Sequence, residues 1–206
     1  PNWSEVARFR DVTEQDAQAL RAQLGLPEDQ KIILYSGNIG EKQGLESVIE
    51  AAQLLNEHPW MFVIVGQGGG KARLEKMVSV RGLTNVKFFP LQSYEALPAL
   101  LKMGDCHLVV QKRGAADAVL PSKLTNILAV GGNAVITAEA ETELGQLCDS
   151  YPGIAVCVEP ESVPALVTGI EQALAMPKVN TVAREYAERT LEKENVLSQF
   201  IADIRG

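Results

Sequence analysis

Short runs rich in β-branched and other apolar residues alternate along this chain with stretches whose apolar residues recur at helical spacing. No other feature constrains the fold as strongly. The runs cover residues 32–36, 61–66, 86–89, 106–110, 134–137 and 154–158. The helical stretches between them cover 45–55, 72–80, 97–103, 124–130, 143–148 and 163–175. Strands that are nearly continuous apolar runs are buried on both faces, and in a strictly alternating order they form a parallel sheet covered by helices. The expected class is therefore α/β, a doubly wound parallel sheet of the Rossmann-like kind.

Two pieces flank this core. Residues 13–24 have the marks of a helix, with Thr13 as N-cap and a stop at Gly25 shortly before Pro27. Residues 181–204 place Ala183, Ala187, Leu191, Val196, Phe200 and Ile204 at helical intervals, as one long amphipathic helix or a broken pair. With 206 residues, 46% of them hydrophobic, the chain fits one domain over 1–206. It divides into a linker and N-terminal helix (1–30), an α/β core (31–176) and a C-terminal helix (177–206).

The formal charge of −7 leaves no basic footprint for nucleic acid, and no Lys/Arg run suits an anionic membrane. The three cysteines, Cys106, Cys148 and Cys157, are far apart and form no C-x-x-C pair, so they read as reduced core residues of a cytoplasmic protein. No apolar stretch approaches the roughly 20 residues of a membrane span. The chain opens at Pro1, as a piece of a longer protein would.

In a parallel α/β sheet, ligands bind where strand carboxyl ends meet helix N-termini, which directs attention to four loops. Ser36-Gly37-Asn38-Ile39-Gly40-Glu41-Lys42-Gln43-Gly44 is either a backbone cradle for an anion with Lys42 adding charge, or a Gly-rich turn with a solvated lysine. Gly66-Gln67-Gly68-Gly69-Gly70-Lys71 resembles a dinucleotide fingerprint only superficially. Lys71 stands where a third glycine belongs, and no acid follows at ribose distance, which disfavours NAD and FAD. The loop at Pro90 and Leu91 is a flat wall for a base or a plain turn. Pro121-Ser122-Lys123-Leu124-Thr125-Asn126 is helix-start chemistry, in which the Ser122–Leu124 amides point at the crevice and Lys123 and Asn126 share a face. A capped surface helix explains that loop too. His107 inside a run reads as a core residue, and the acids Glu139, Glu141 and Glu143 read as a helix start, so no metal is expected.

In order along the chain, Pro1-Asn2 with Phe9-Arg10, Arg21-Ala22-Gln23-Leu24-Gly25-Leu26-Pro27, Tyr35-Ser36-Gly37, Ile64-Val65-Gly66-Gln67-Gly68, Leu97-Pro98-Ala99-Leu100 and Gly104-Asp105 resemble the C-terminal, donor-binding domain of GT-B glycosyltransferases of the retaining group 1 family. There are departures. The family's two helix glutamates fall at Ala118 and Asn126, and the arginine and lysine of its first loop fall at Asn38 and Gln43, so those roles do not carry over. The G-N-x-G-x-x-Q-G-L and P-S-K-L-x-N patterns are similar to the branch that builds bacterial surface polysaccharides, most of all the colanic acid glycosyltransferases, with a GDP-fucose-dependent fucosyltransferase as the expected member and a UDP-sugar donor as the alternative.

The resemblance implies a nucleoside diphosphate sugar bound along the crevice without a cofactor. The base would lie near Pro90 and Leu91. The diphosphate would meet Gly37, Asn38, Gly40, Gly66, Gly68, Pro121, Ser122 and Leu124, and the ribose would lie near Asn126. Lys123 and Lys42 would stabilise the leaving group. It implies an absent N-terminal acceptor domain and a full enzyme peripheral to the inner membrane, and hence a fragment unable to transfer sugar alone. The rival readings are a nucleotide-sugar epimerase of the same architecture and a non-catalytic nucleotide-binding module.

Overall fold

A computed structural model describes residues 3–114 and 122–206. Each apolar run forms a strand: β1 Lys31–Asn38, β2 Trp60–Gln67, β3 Val86–Phe89, β4 Cys106–Val109, β5 Ala134–Thr137 and β6 Val156–Val158. All neighbouring strands pair in parallel, in the order β3-β2-β1-β4-β5-β6. The chain thus winds outward from β1 in one direction, returns, and winds outward from β4 in the other. The reversal leaves a crevice between the carboxyl ends of β1 and β4.

The helices are α1 Trp3–Asp11, α2 Glu14–Gln23, α3 Glu46–Leu54, α4 Lys71–Val80, α5 Leu97–Met103, α6 Ser122–Ala129, α7 Glu143–Ser150, α8 Val163–Ala175 and α9 Thr181–Arg205. Side chains alternate across each strand, so the sheet buries two cores. Ile32 and Leu34 of β1 face a layer drawn from α1, α2, α5, α6, α7 and α9, and Ile33 and Tyr35 face α3, α4 and α8. That two-sided burial is why the strands read as unbroken apolar runs.

Local chemistry sets the ends. Thr13 caps α2 by accepting from the Asp16 amide, and Asp16 returns the bond to the Thr13 amide. Asp105 accepts from the Ile32 amide at 2.8 Å and donates its own N–H to the Ile32 carbonyl, tying the amino ends of β1 and β4 together. Asn180 caps α9 and joins Asn133 and the Gly153 carbonyl in a buried polar knot.

Of the two forms expected for residues 181–204, the single long helix is the one present, over Thr181–Arg205. The structure departs from the sequence reading in three places. Residues 3–11, expected as linker, form α1, because Val6 and Phe9 fall one turn apart and are buried at 1% and 2% exposure. The strand β1 runs on through Gly37 to Asn38 and β2 runs one residue further to Gln67, since the ladder continues to Gly37↔Gly66 and Asn38↔Gln67. Finally, Cys148 and Cys157 are half-buried rather than core; only Cys106 is enclosed.

Candidate functional site

The two Gly-rich loops lie against each other. Ile39 donates to the Gln67 carbonyl at 3.0 Å and Gly70 donates to the Ile39 carbonyl at 2.9 Å. A Cβ on Gly66 would sit 1.9 Å from the Gly37 carbonyl oxygen, and one on Gly68 would sit 2.4 Å from that of Ile39. These glycines therefore let two backbones meet. The Gly40 amide donates to the Gln43 side chain at 3.0 Å, so the amides of Ile39 and Gly40 are committed inside the protein. Lys42 lies in a 3-10 turn, Glu41–Gln43, its side chain exposed and its carbonyl accepting from the Lys112 amide at 2.8 Å.

Lys123, in the first turn of α6, reaches across the carboxyl end of β1. Its Nζ lies 3.8 Å from the centroid of the Tyr35 ring and 3.4 Å from where a Cβ on Gly37 would be. The Tyr35 hydroxyl donates to the Asn38 carbonyl at 2.5 Å. Removal of the ammonium from water lowers the Lys123 pKa to about 7. From Lys123 to Val130, only Lys123 and Asn126 keep part of their surface open, whereas Leu124 is wholly core and offers the crevice nothing but its backbone. Pro121 lies outside the described residues, as does Ala118, and Ser122 opens the helix.

Beyond β4, Gln111 donates its amide to Thr137 Oγ1 and accepts from it, and Arg113 pairs with Glu159 while its amide donates to Glu161. A cleft of about 440 Å³ opens there, past the ends of β5 and β6, lined by Arg113, Glu139, Glu141, Asp149, Cys157 and Glu159 among others. Glu143 lies in the first turn of α7 behind the N-cap Thr142. Pro90 and Leu91 are exposed past β3, two strands from β1 and so roughly 10 Å away. The Pro90 carbonyl accepts from the Gln92 side chain. His107 is buried in β4 between Gly104 and Gly132, and burial lowers its pKa to about 4, so it is a neutral core residue.

The fold thus brings Gly37, Asn38 and Lys123 together at the switch point, with Gly40 and Lys42 on the loop that follows β1 and Asn126 one turn further along α6. Gly66 and Gly68 support them from below, and Pro90 and Leu91 stand at the far edge. Sequence reasoning missed Tyr35 and Lys112 as members of this edge. The signal for each was position, an aromatic two residues before the loop glycine and a cation two past the fourth apolar run.

The class this defines is a doubly wound α/β domain with a cationic crevice at its switch point, the fold of one half of a GT-B enzyme. The chain belongs to the glycosyl transferases group 1 family, whose pattern it matches over residues 16–190. Over all 206 residues it is 80% identical to a putative colanic acid biosynthesis glycosyl transferase, WcaI, of Escherichia coli strain K12, and it spans 51% of that protein. It superposes on Anabaena Alr3699/HepE, solved in complex with UDP, with a TM-score of 0.76 at 16% identity, covering 95% of this chain and 54% of that one. It also superposes on the C-terminal domain of a group 1 glycosyl transferase, LpcC, of Francisella tularensis, with a TM-score of 0.59 at 20% identity, covering 88% and 90% of the two chains.

Proposed function

We propose that this chain is the C-terminal, donor-binding half of a retaining glycosyltransferase that moves a sugar, fucose from GDP-fucose before any UDP-sugar, onto a lipid-linked saccharide in bacterial exopolysaccharide synthesis on the cytoplasmic side. The observation that carries this is Lys123, an ammonium held beside Gly37 at the switch point and the start of α6, where a helix N-terminus favours anions. Support comes from the 80% identity to the colanic acid relative and from the likeness to part of a protein solved in complex with UDP.

Departure of a nucleoside diphosphate builds negative charge on the β-phosphate. Lys123, Lys42 and the first-turn amides at Ser122 to Leu124 meet that charge in place, without reorganisation. Gly37, Asn38 and Gly40 wall the diphosphate, Asn126 bonds the ribose, and Pro90 with Leu91 backs the base. Gly66 and Gly68 act indirectly, by holding the first loop. Neither an epimerase nor a bare nucleotide module is favoured by any observation at this edge.

Calorimetric titration with GDP and UDP tests the reading: neither nucleotide binding at millimolar concentration would overturn it. Lys123→Ala is expected to weaken nucleoside diphosphate binding by roughly ten- to a hundredfold, the range of a charge-assisted hydrogen bond, and to leave nucleoside binding nearly unchanged. Equal weakening of both would assign Lys123 to folding or base contacts. Binding is also expected to survive EDTA. Among the described residues no three His, Cys, Asp or Glu side chains group for a metal, and the charge is met by amides and ammonium. Abolition of binding by chelator would redirect attention to Glu139, Glu141 and Glu143.

The remainder of the transferase would pack on α9. Val196, Leu197, Phe200 and Ile204 stand 58–68% exposed along one side of that helix, a stripe that a lone chain leaves in water.

A further inference from the structure

We propose that Tyr35 is a positioning residue of this site, whose ring face holds the Lys123 ammonium over Gly37 and thereby sets the pH range in which the site accepts a nucleoside diphosphate. The proposal rests on the donor-site reading for its ligand, but its core, the hold of Tyr35 on Lys123, does not.

Three contacts carry it. The Lys123 Nζ stands 3.8 Å from the ring centroid, within cation–π distance. The ring itself is fixed: Tyr35 is 3% exposed, its backbone lies inside the β1 ladder, and its hydroxyl is anchored to the Asn38 carbonyl. A side chain on Gly37 would stand 3.4 Å from both the Tyr35 hydroxyl and the Lys123 Nζ, so the glycine keeps this corner open. The ion pairs formed among the described residues do not involve Lys123, which leaves the ring face as the described group that favours its charge.

Among the described residues, the titratable neighbours of Lys123 are neutral near pH 7. Tyr35 on β1 is pushed up by burial, and His107 on β4 is held down to about 4 by burial and by the Lys123 charge. Lys123 is then the group that titrates, with its pKa lowered to about 7. The sign follows: the ammonium is present below that pH and lost above it. A diphosphate favours the ammonium, so binding at pH 8 takes up a proton at Lys123 and binding at pH 6 does not. Without the ring, burial still disfavours the charge, the midpoint falls, and the loss of affinity begins at lower pH.

The test uses the chain with ¹³C-labelled lysine, with the Lys123 ε-carbon followed by NMR against pH without ligand, and calorimetry with GDP and UDP at pH 6 and pH 8 in buffers of different ionisation enthalpy. The wild type is expected to titrate near 7. Tyr35→Phe keeps that midpoint because the ring face remains. Tyr35→Leu lowers it by about half a unit or more and weakens nucleotide binding more at pH 8 than at pH 6. Site-specific fluorinated phenylalanines at position 35 keep the shape while draining the ring of electron density, and lower the midpoint stepwise even if Tyr35→Leu fails to fold. A midpoint that ignores ring fluorination, or a Tyr35→Phe midpoint displaced as far as that of Tyr35→Leu, overturns the proposal. If the wild type binds neither nucleotide, the donor-site reading fails while the ligand-free titration still decides whether Tyr35 holds Lys123.

Discussion

Incubated with a nucleoside diphosphate sugar and a lipid-linked saccharide acceptor, the chain alone is expected to bind donor and to form no product above the enzyme-free control. It spans about half the length of the colanic acid relative, and its described residues hold the crevice of only one α/β body. Positioning an acceptor against a bound donor accounts for roughly 7–11 kcal/mol of a barrier, or about five to eight powers of ten in rate. On the proposed reading the acceptor side lies outside this chain, and that whole contribution is forfeited. Product release measured by mass spectrometry checks it, with and without the separately made other half. Transfer by the chain alone would refute the half-enzyme reading, and transfer only in the mixture would support it, together with docking onto α9.

Gly66→Ala is expected to be the most destabilising single methyl in the molecule. The added Cβ would lie 1.9 Å from the Gly37 carbonyl oxygen, a backbone atom in the β1–β2 ladder that has nowhere to go, and the backbone there has φ 156°. Separating β1 from β2 costs on the order of 4 kcal/mol or more, the exceptional end for a point substitution. For a chain of this size that lowers the melting temperature by roughly 8–16 °C. Gly69→Ala is the control, since a Cβ there meets nothing within 4 Å. Thermal unfolding followed by circular dichroism should show Gly69→Ala close to wild type. A Gly66→Ala protein that melts within about 2 °C of wild type would show that the loops are not locked together as described.

Much of the fold was legible because burial on both faces of a parallel sheet writes itself into the sequence as apolar runs, and because caps such as Thr13 with Asp16 act within four residues. The segment 3–11 was not legible as a helix, since Val6 and Phe9 mark its buried side amid the polar residues Ser4, Glu5, Arg8, Arg10 and Asp11. At the site, Lys123 and Asn126 were legible as a pair because helical spacing alone puts them on one face. The roles of Gly66 and Gly68 were not. A glycine that admits a ligand and a glycine that admits another backbone look alike in one dimension, and only the register Gly37↔Gly66 tells them apart.

The sequence by itself determined the alternation of elements, the class of sheet and the four loops where a ligand could sit, all properties of spacing over a few residues. Tertiary structure alone decided which loops share an edge and which amides are already spent. It also decided that Lys123 of α6 meets Tyr35 of β1. Those are contacts across 88 positions of chain, which no local periodicity encodes; they exist because the sheet reverses its winding between β1 and β4 and lays the start of α6 across the gap.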